Sequence, residues 1–239
     1  MRNVICMKWG TKYGPEYVNK LYAMVRRNLS GPVRFVCLTD DPSGVVEGVE
    51  CRPIPTLKVS SEKYDRAGWR KLAIFSPELS DIEGTVLFLD VDLVIVDSID
   101  PFFDHAPGEF CIIENWTQRG RNVGNSSVFR YEAGRYGYIL EDYERRHVEV
   151  VGRWDNEQMY LTAQASPVRF WPEDWCKSFK HHSIPPGLNA WFRRPAKPEG
   201  VRIVVFHGNP KPSDAIAGRW PDKPFRRVKK TFWVDRHWR

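Results

Sequence analysis

The chain has 239 residues, 42% hydrophobic and 28% charged, which suits one folded domain around a substantial core and excludes a disordered polymer. Its 36 Lys and Arg outnumber 30 Asp and Glu, a mild positive excess that favours anionic ligands such as nucleotides and phosphates. No basic block longer than a pair stands before the C-terminus, so no nucleic-acid partner is expected.

Residues 4–7 form a short apolar run that reads as a first buried strand. The run is too short for a signal-peptide core, and no stretch approaches the roughly 20 apolar residues of a membrane span, so a soluble, cytoplasmic chain is expected. Pro15 opens a helix with Val18, Leu21, Tyr22, Val25 and Leu29 at helical spacing, and Gly31-Pro32 ends it. Residues 33–38 read as a second strand and 49–54 as a short third. A helical stretch over 69–75 precedes the continuous apolar run 85–89, and 93–96 continues apolar beyond two aspartates. Strands are expected at 110–113, 127–129 and 201–206, with helices at 136–146 and 156–163. Strand and helix patterns alternate over the first half, as in an α/β sheet buried on both faces. From Ala165 onward, dense prolines and tryptophans predict long packed loops.

Five cysteines at 6, 37, 51, 111 and 176 are odd in number, widely spaced and without a CxxC. Neither a disulfide framework nor a zinc cluster is indicated, and reduced thiols are expected. Aromatic residues are abundant, with 10 Trp, and their ring faces suit sugars, bases or a thick core.

The sharpest local signal is Asp90-Val91-Asp92 at the end of the apolar run. On an extended strand, residues i and i+2 share a face with Cα atoms roughly 6.5–7 Å apart. Two such carboxylates can converge on one hard divalent cation, and they repel each other unless a cation or donors compensate them. Read alone, the pair also fits a solvated strand end. Far downstream, the strand at 201–206 runs into His207-Gly208-Asn209-Pro210-Lys211-Pro212. His207 is either a nitrogen ligand or a hydrogen-bonded structural histidine. With Asp90 and Asp92 it would complete a carboxylate–imidazole site of the kind manganese prefers. Gly208 permits close backbone approach, and Lys211 offers a point charge for phosphate oxygens. Gly124-Asn125-Ser126-Ser127 reads as a polar turn entering a strand, with side chains suited to sugar hydroxyls or to the turn itself. Asp155, Glu157 and Gln158 stand at a helix start, where Asp155 fits an N-cap as well as a ligand.

In this order the pieces resemble the nucleotide-sugar glycosyltransferases of the GT-A class. They are most similar to the retaining family 8 enzymes, which include glycogenin and bacterial galactosyltransferases, in a bacterial branch with a His-Gly-x-Pro-Lys-Pro ending. The resemblance runs from the first strand to about Pro212 and rests on residues 88–92, on Ile99-Asp100-Pro101-Phe102-Phe103, and on the His207/Gly208/Lys211-Pro212 cluster. It implies a single α/β GT-A-type domain over 1–218, with a mixed, mostly parallel central sheet flanked by helices and a basic, aromatic tail at 219–239. It implies transfer of a sugar, with retention, from a nucleoside diphosphate donor such as a UDP-sugar to an acceptor that is a glycan, lipid or protein. Mn²⁺ or Mg²⁺ would be held by Asp90, Asp92 and His207. The nucleotide and its phosphates would meet Trp9, Thr11, Tyr13, Lys71, Asp90, Gly208 and Lys211. Asn125, Ser126 and Ser127 would read the sugar, and Asp155, Glu157 and Gln158 would serve catalysis. Three departures stand out. His207 and Gly208 are adjacent where the family has two intervening residues, Ser127 replaces a glycine, and Glu157 replaces an aspartate.

Two other classes are weighed. Asp90-Val91-Asp92-Leu93-Val94 also matches the signature of a haloacid-dehalogenase-type phosphohydrolase, with Asp90 as nucleophile. A non-catalytic module for nucleotide or anionic polymer is suggested by the tail. There Arg219, Lys223, Arg226-Arg227, Lys229-Lys230, Arg236 and Arg239 interleave with Trp220, Phe225, Phe232, Trp233 and Trp238. Such a tail either rests on anionic lipid headgroups or docks its rings on the core.

Overall fold

Side chains along the first strands alternate between two apolar layers, which is why the sequence shows runs in place of a polar–apolar alternation. In the computed structural model, which describes residues 1–59, 68–222 and 226–239, β1 (Arg2–Lys8), β2 (Val33–Thr39) and β4 (Thr85–Leu89) are buried on both faces. Val4, Cys6, Phe35, Cys37, Leu87 and Leu89 enter one layer. Ile5, Met7, Val36, Leu38, Val86 and Phe88 enter the other.

The main sheet has seven strands in the order β3-β2-β1-β4-β7-β6-β8, with β3 at Glu50–Arg52, β6 at Phe110–Glu114, β7 at Gly124–Glu132 and β8 at Val168–Phe170. Strands β3, β2, β1 and β4 run parallel, and β7 is antiparallel to both β4 and β6. Cys6, Cys37 and Cys51 lie side by side across β1, β2 and β3, and all five cysteines are free thiols. Helix α1 (Pro15–Asn28) carries Pro at its first turn and buries Tyr17, Val18, Leu21, Met24 and Val25 against the first layer. A short helix, α2 (Pro101–Asp104), buries Phe102 and Phe103 in the same layer. A 3-10 helix (Trp69–Phe75), α3 (Gly137–Arg153) and α4 (Glu157–Gln164) close the second layer, where Trp69 stacks on Tyr143 with ring centroids 5.2 Å apart.

Beyond Asp92 the chain leaves the main sheet. Strand β5 (Leu93–Ile95) joins a second, three-stranded sheet with β9 (Cys176–Ser178) and β10 (Ile203–Val205), in the order β5-β10-β9. The tryptophan-rich segment predicted as loops therefore supplies β8 to one sheet and β9 to the other. These strands have three residues each, too few to show a period of two. The strand expected from 127 begins earlier, and residues 124–126, read as part of a polar turn, are already the start of β7. Helices α5 (Asn189–Phe192) and α6 (Pro212–Ala217) flank β10 in the chain.

The tail ends in α7 (Phe232–His237) and folds back on the core. Val228, Thr231, Val234 and Trp238 are buried, and Trp238 lies edge-on to Tyr17 with the Lys20 ammonium 4.2 Å from its ring centroid. The Thr231 amide donates to Ala215, and the Trp233 indole donates to the Pro195 carbonyl. Lys223 and Phe225 of the tail lie outside the described residues. Among the described residues no helix is long and apolar enough to cross a membrane.

Trp238→Ala is expected to cost about 3 kcal/mol of unfolding free energy, the scale for deleting a buried ring. Urea denaturation checks this, and an unchanged midpoint would mean that the tail is dispensable to the fold.

Candidate active site

The two aspartates are delivered by a turn. Strand β4 stops at Leu89, and Asp90–Asp92 turn the chain toward β5, which corrects the expectation of an extended strand presenting both on one face. The Asp90 amide still donates to the Ser127 carbonyl at 2.9 Å, so the turn hangs from the edge of β7. Strand β10 runs antiparallel to β5 with Val205 opposite Leu93, and the Phe206 amide donates to the Asp92 carbonyl at 3.3 Å. That register returns residues 207 and 208 to the side of the aspartate turn. Asp90, Asp92, His207 and Gly208 consequently line one cavity of about 350 Å³ with Trp9, Tyr13, Lys71, Ser127 and Glu157. The cavity stands at the carboxyl ends of parallel strands β1 and β4, where open α/β sheets bind ligands.

The lining is held by two buried or half-buried lysines. Lys71, placed by the 3-10 helix, lies 2.9 Å from Asp90 Oδ1 and 3.8 Å from Glu157 Oε1. It also donates to the Ser126 carbonyl and hydroxyl at 3.0 and 3.1 Å, and the Ser126 hydroxyl donates to Glu157 Oε1 at 2.6 Å. Burial alone would lower the Lys71 pKa, but attraction to Asp90 and Glu157 outweighs it and holds the ammonium above its ordinary range. Glu157 is the first residue of α4, whose N-cap is Asn156, with Oδ1 accepting from the Met159 amide at 3.1 Å. The N-cap expected of Asp155 thus belongs to Asn156, and Asp155 is exposed. A carboxylate at this helix start gains from the unpaired amides there. Gly68 adopts φ +79° and leaves only 3.0 Å between the place of a Cβ and Glu157 Oε2, so a larger residue would press on the carboxylate.

Lys211 and Tyr13 hold the second aspartate. Lys211 Nζ lies 2.6 Å from Asp92 Oδ2, and the Tyr13 hydroxyl donates to the same oxygen at 2.5 Å. Lys211 also bonds the Tyr13 hydroxyl. Burial, then the Asp92 charge, pushes the Tyr13 pKa up, so the phenol keeps its proton.

His207 shares a 2.7 Å hydrogen bond with the Ser178 hydroxyl and stacks between Trp116 and His181, with centroids at 5.6 and 5.5 Å. Burial, with Lys180, His181 and Lys211 nearby, lowers its pKa to about 4, so the ring is neutral at physiological pH.

Not every expected residue reaches the cavity. Ser126 sits behind its wall, bonded to Lys71 and Glu157. Asn125 turns its side chain to the Ser127 amide at 3.1 Å, and the Gln158 carbonyl accepts from Thr162. Thr11, Asn125, Asp155 and Gln158 are not among the described lining residues. Sequence reasoning missed Met7, Lys12 and Gly68 on the lining and Trp116 behind His207. Lys12 had a signal, a cation in the loop after β1, whereas Trp116 and Gly68 had none.

As donors, two carboxylates and a neutral imidazole suit Mn²⁺ or Mg²⁺. Among the described residues no three such side chains are gathered closely enough to hold an ion. Asp92 is taken up by Lys211 and Tyr13, Asp90 by Lys71, and His207 by Ser178. The residue types fit the ion, and binding it requires that these partners be exchanged.

The fold has known counterparts. The galactosyltransferase LgtC, solved in complex with donor and acceptor sugar analogs, superposes with a TM-score of 0.58 at 14% identity over 88% of each chain. The glycosyltransferase GlyE of Streptococcus pneumoniae TIGR4 gives 0.58 at 13% identity, over 89% of this chain and 56% of its own. No protein-family profile matches the chain, and no curated protein matches it in sequence. The shared feature is the fold: a mixed, mostly parallel seven-stranded sheet flanked by helices, as expected from the sequence.

Lys71→Met is expected to destabilise the protein by about 3 kcal/mol, because it leaves Asp90 and Glu157 without their counter-charge. Adding Glu157→Gln should recover part of that loss. Additive losses in the denaturation cycle would show that the two side chains are uncoupled.

Proposed function

We infer that the chain is a metal-dependent glycosyltransferase that moves a sugar from a nucleoside diphosphate donor, a UDP-sugar, to an acceptor with retention of configuration. One observation carries this reading: a single cavity at the strand ends is lined by Asp90, Asp92, His207, Lys71 and Glu157 in a fold shared with glycosyltransferases. The phosphohydrolase alternative requires Asp90 as a nucleophile early in its fold, whereas Asp90 follows the fourth strand and is engaged by Lys71.

Glycosyl transfer builds negative charge on the departing diphosphate. A divalent ion held by Asp90, Asp92 and His207 would neutralise that charge as a Lewis acid. Lys211 is the mobile partner in this scheme, with an ammonium that rests on Asp92 and turns to the phosphate oxygens when a donor enters. Gly208 allows the diphosphate close to the backbone. Tyr13, with its proton retained, stays a hydrogen-bond donor once Lys211 has moved, and Trp9 and Thr11 complete the nucleoside side. Lys71 acts as a positioning residue, holding Asp90, Ser126 and Glu157 in one arrangement. Ser127 faces the sugar, with Asn125 fixing it through its amide and Ser126 anchoring Lys71 and Glu157 behind the wall. Glu157, two residues after Asp155 and next to Gln158, or the departing phosphate takes the acceptor's proton.

A thermal-shift screen of nucleotide sugars with and without Mn²⁺ tests the reading. A donor at 100 times its Kd should stabilise the protein by about 2.7 kcal/mol. EDTA or Asp90→Ala should abolish the shift and turnover together, and full activity of Asp90→Ala would remove the mechanism. Lys211→Met should lower kcat by about 10²–10³-fold, the loss for one donor to a developing anion. A rise in KM alone would reduce Lys211 to a binding contact.

A further inference from the structure

A second cavity of about 450 Å³, in the size range of about 300–1,000 Å³ typical of small-ligand sites, adjoins the first. Its chemistry comes from Lys180, His181, Trp191, Trp220, Arg226 and Arg227. The Arg226 guanidinium lies 5.0 Å from the Trp220 ring centroid, and that of Arg227 lies 5.1 Å from the Trp191 centroid. Among the described residues neither arginine is in an ion pair, and no carboxylate lines the groove. A guanidinium stacked on a ring keeps its N–H edge for a planar anion, and the arginine is pre-organised to use it. The indoles offer apolar surface of the kind that receives the C–H face of a pyranose.

The groove meets the donor cavity at two points. Lys180 Nζ lies 3.0 Å from the place of a Cβ at Gly208, a residue with φ +70° on the donor-cavity wall. His181 stacks on His207, which lines that wall too, at 5.5 Å and 19°.

We propose that this groove is the acceptor site and that its acceptor is an anionic glycan, a saccharide whose carboxylate or phosphate is bound by Arg226, Arg227 and Lys180 while its rings rest on Trp191 and Trp220. The acceptor role rests on the glycosyltransferase reading of the adjoining cavity, and the binding of anionic saccharides stands independently of it.

Titration by tryptophan fluorescence tests the groove. Hyaluronan tetrasaccharide, which carries two carboxylates, should bind at least tenfold more tightly than neutral chitotetraose. Glucose 1-phosphate measured against glucose separates phosphate from carboxylate as the preferred anion. The exposed-site double variant Arg226→Gln/Arg227→Gln should weaken anionic saccharides tenfold and leave UDP affinity within twofold. Equal affinity for neutral and anionic saccharides, or anionic affinity unchanged in the double variant, would overturn the proposal. So would arginine-dependent binding to phosphatidylglycerol vesicles without saccharide binding, which would assign the surface to a membrane. Failure of UDP to bind the unmodified protein would count against the donor reading and leave the saccharide result to be judged on its own.

Discussion

The site depends on a buried ammonium. Lys71 is nearly inaccessible to water, and a charge in that position is tolerable only because Asp90, Glu157 and the Ser126 oxygens surround it. Those partners come from a turn after β4, from the start of β7 and from the first residue of α4. One cation therefore ties together three segments that the chain separates widely. The strain of like charges is relieved in the same way, since each carboxylate on the cavity wall has a lysine within bonding distance.

The two lysines are not equivalent. Lys71 is enclosed by four oxygens and cannot leave without stranding two carboxylates. Lys211 stands at the N-terminus of α6 and, among the described residues, its ammonium holds Asp92 and Tyr13 on a long, flexible stem. In this arrangement the second aspartate is neutralised by Lys211. Under the proposed metal-dependent reading, a cation that took Asp92 would release that ammonium to the donor's phosphate groups.

Much of the fold was legible because strands β1, β2 and β4 are buried on both faces and read as apolar runs, while α1 shows a full helical stripe beginning at Pro15. The three-residue strands β8 and β9 carry no readable period, and their partners are set by tertiary packing. The site was legible where chemistry is local. Asp90-Val91-Asp92 and His207-Gly208 stand out as charged or imidazole groups at the ends of apolar runs. What the sequence did not reveal is geometry that arises from pairing. The start of β7 looked like a turn because Gly, Asn and two Ser residues are turn formers, yet it is a strand. Its register with β6 slips between Ile112 and Ile113, while Val128 pairs with Leu89 of β4 and the Ser127 carbonyl accepts from the Asp90 amide. Likewise Asp155 looked like the cap of α4, but the next residue, Asn156, reaches the Met159 amide and takes that place.

The placement of positive charge also differs between the two cavities. At the cavity by the aspartate turn, Lys71 on the lining and Lys211 beside it are already bonded to carboxylates, so they add little net field to the solvent in front of it. The groove beyond Gly208 has Arg226 and Arg227, neither in an ion pair among the described residues, and no acid on its described lining, so its field favours a negative ligand. The sequence shows only an overall excess of six positive charges, distributed over the chain. Folding the tail back through Val228, Val234 and Trp238 is what carries Arg226 and Arg227 to the groove, where they stack on Trp220 and Trp191. The C-terminal residues thus do two things with one interaction. Their apolar members complete the core beside α1, and that docking fixes the register of the neighbouring arginines beside the donor cavity.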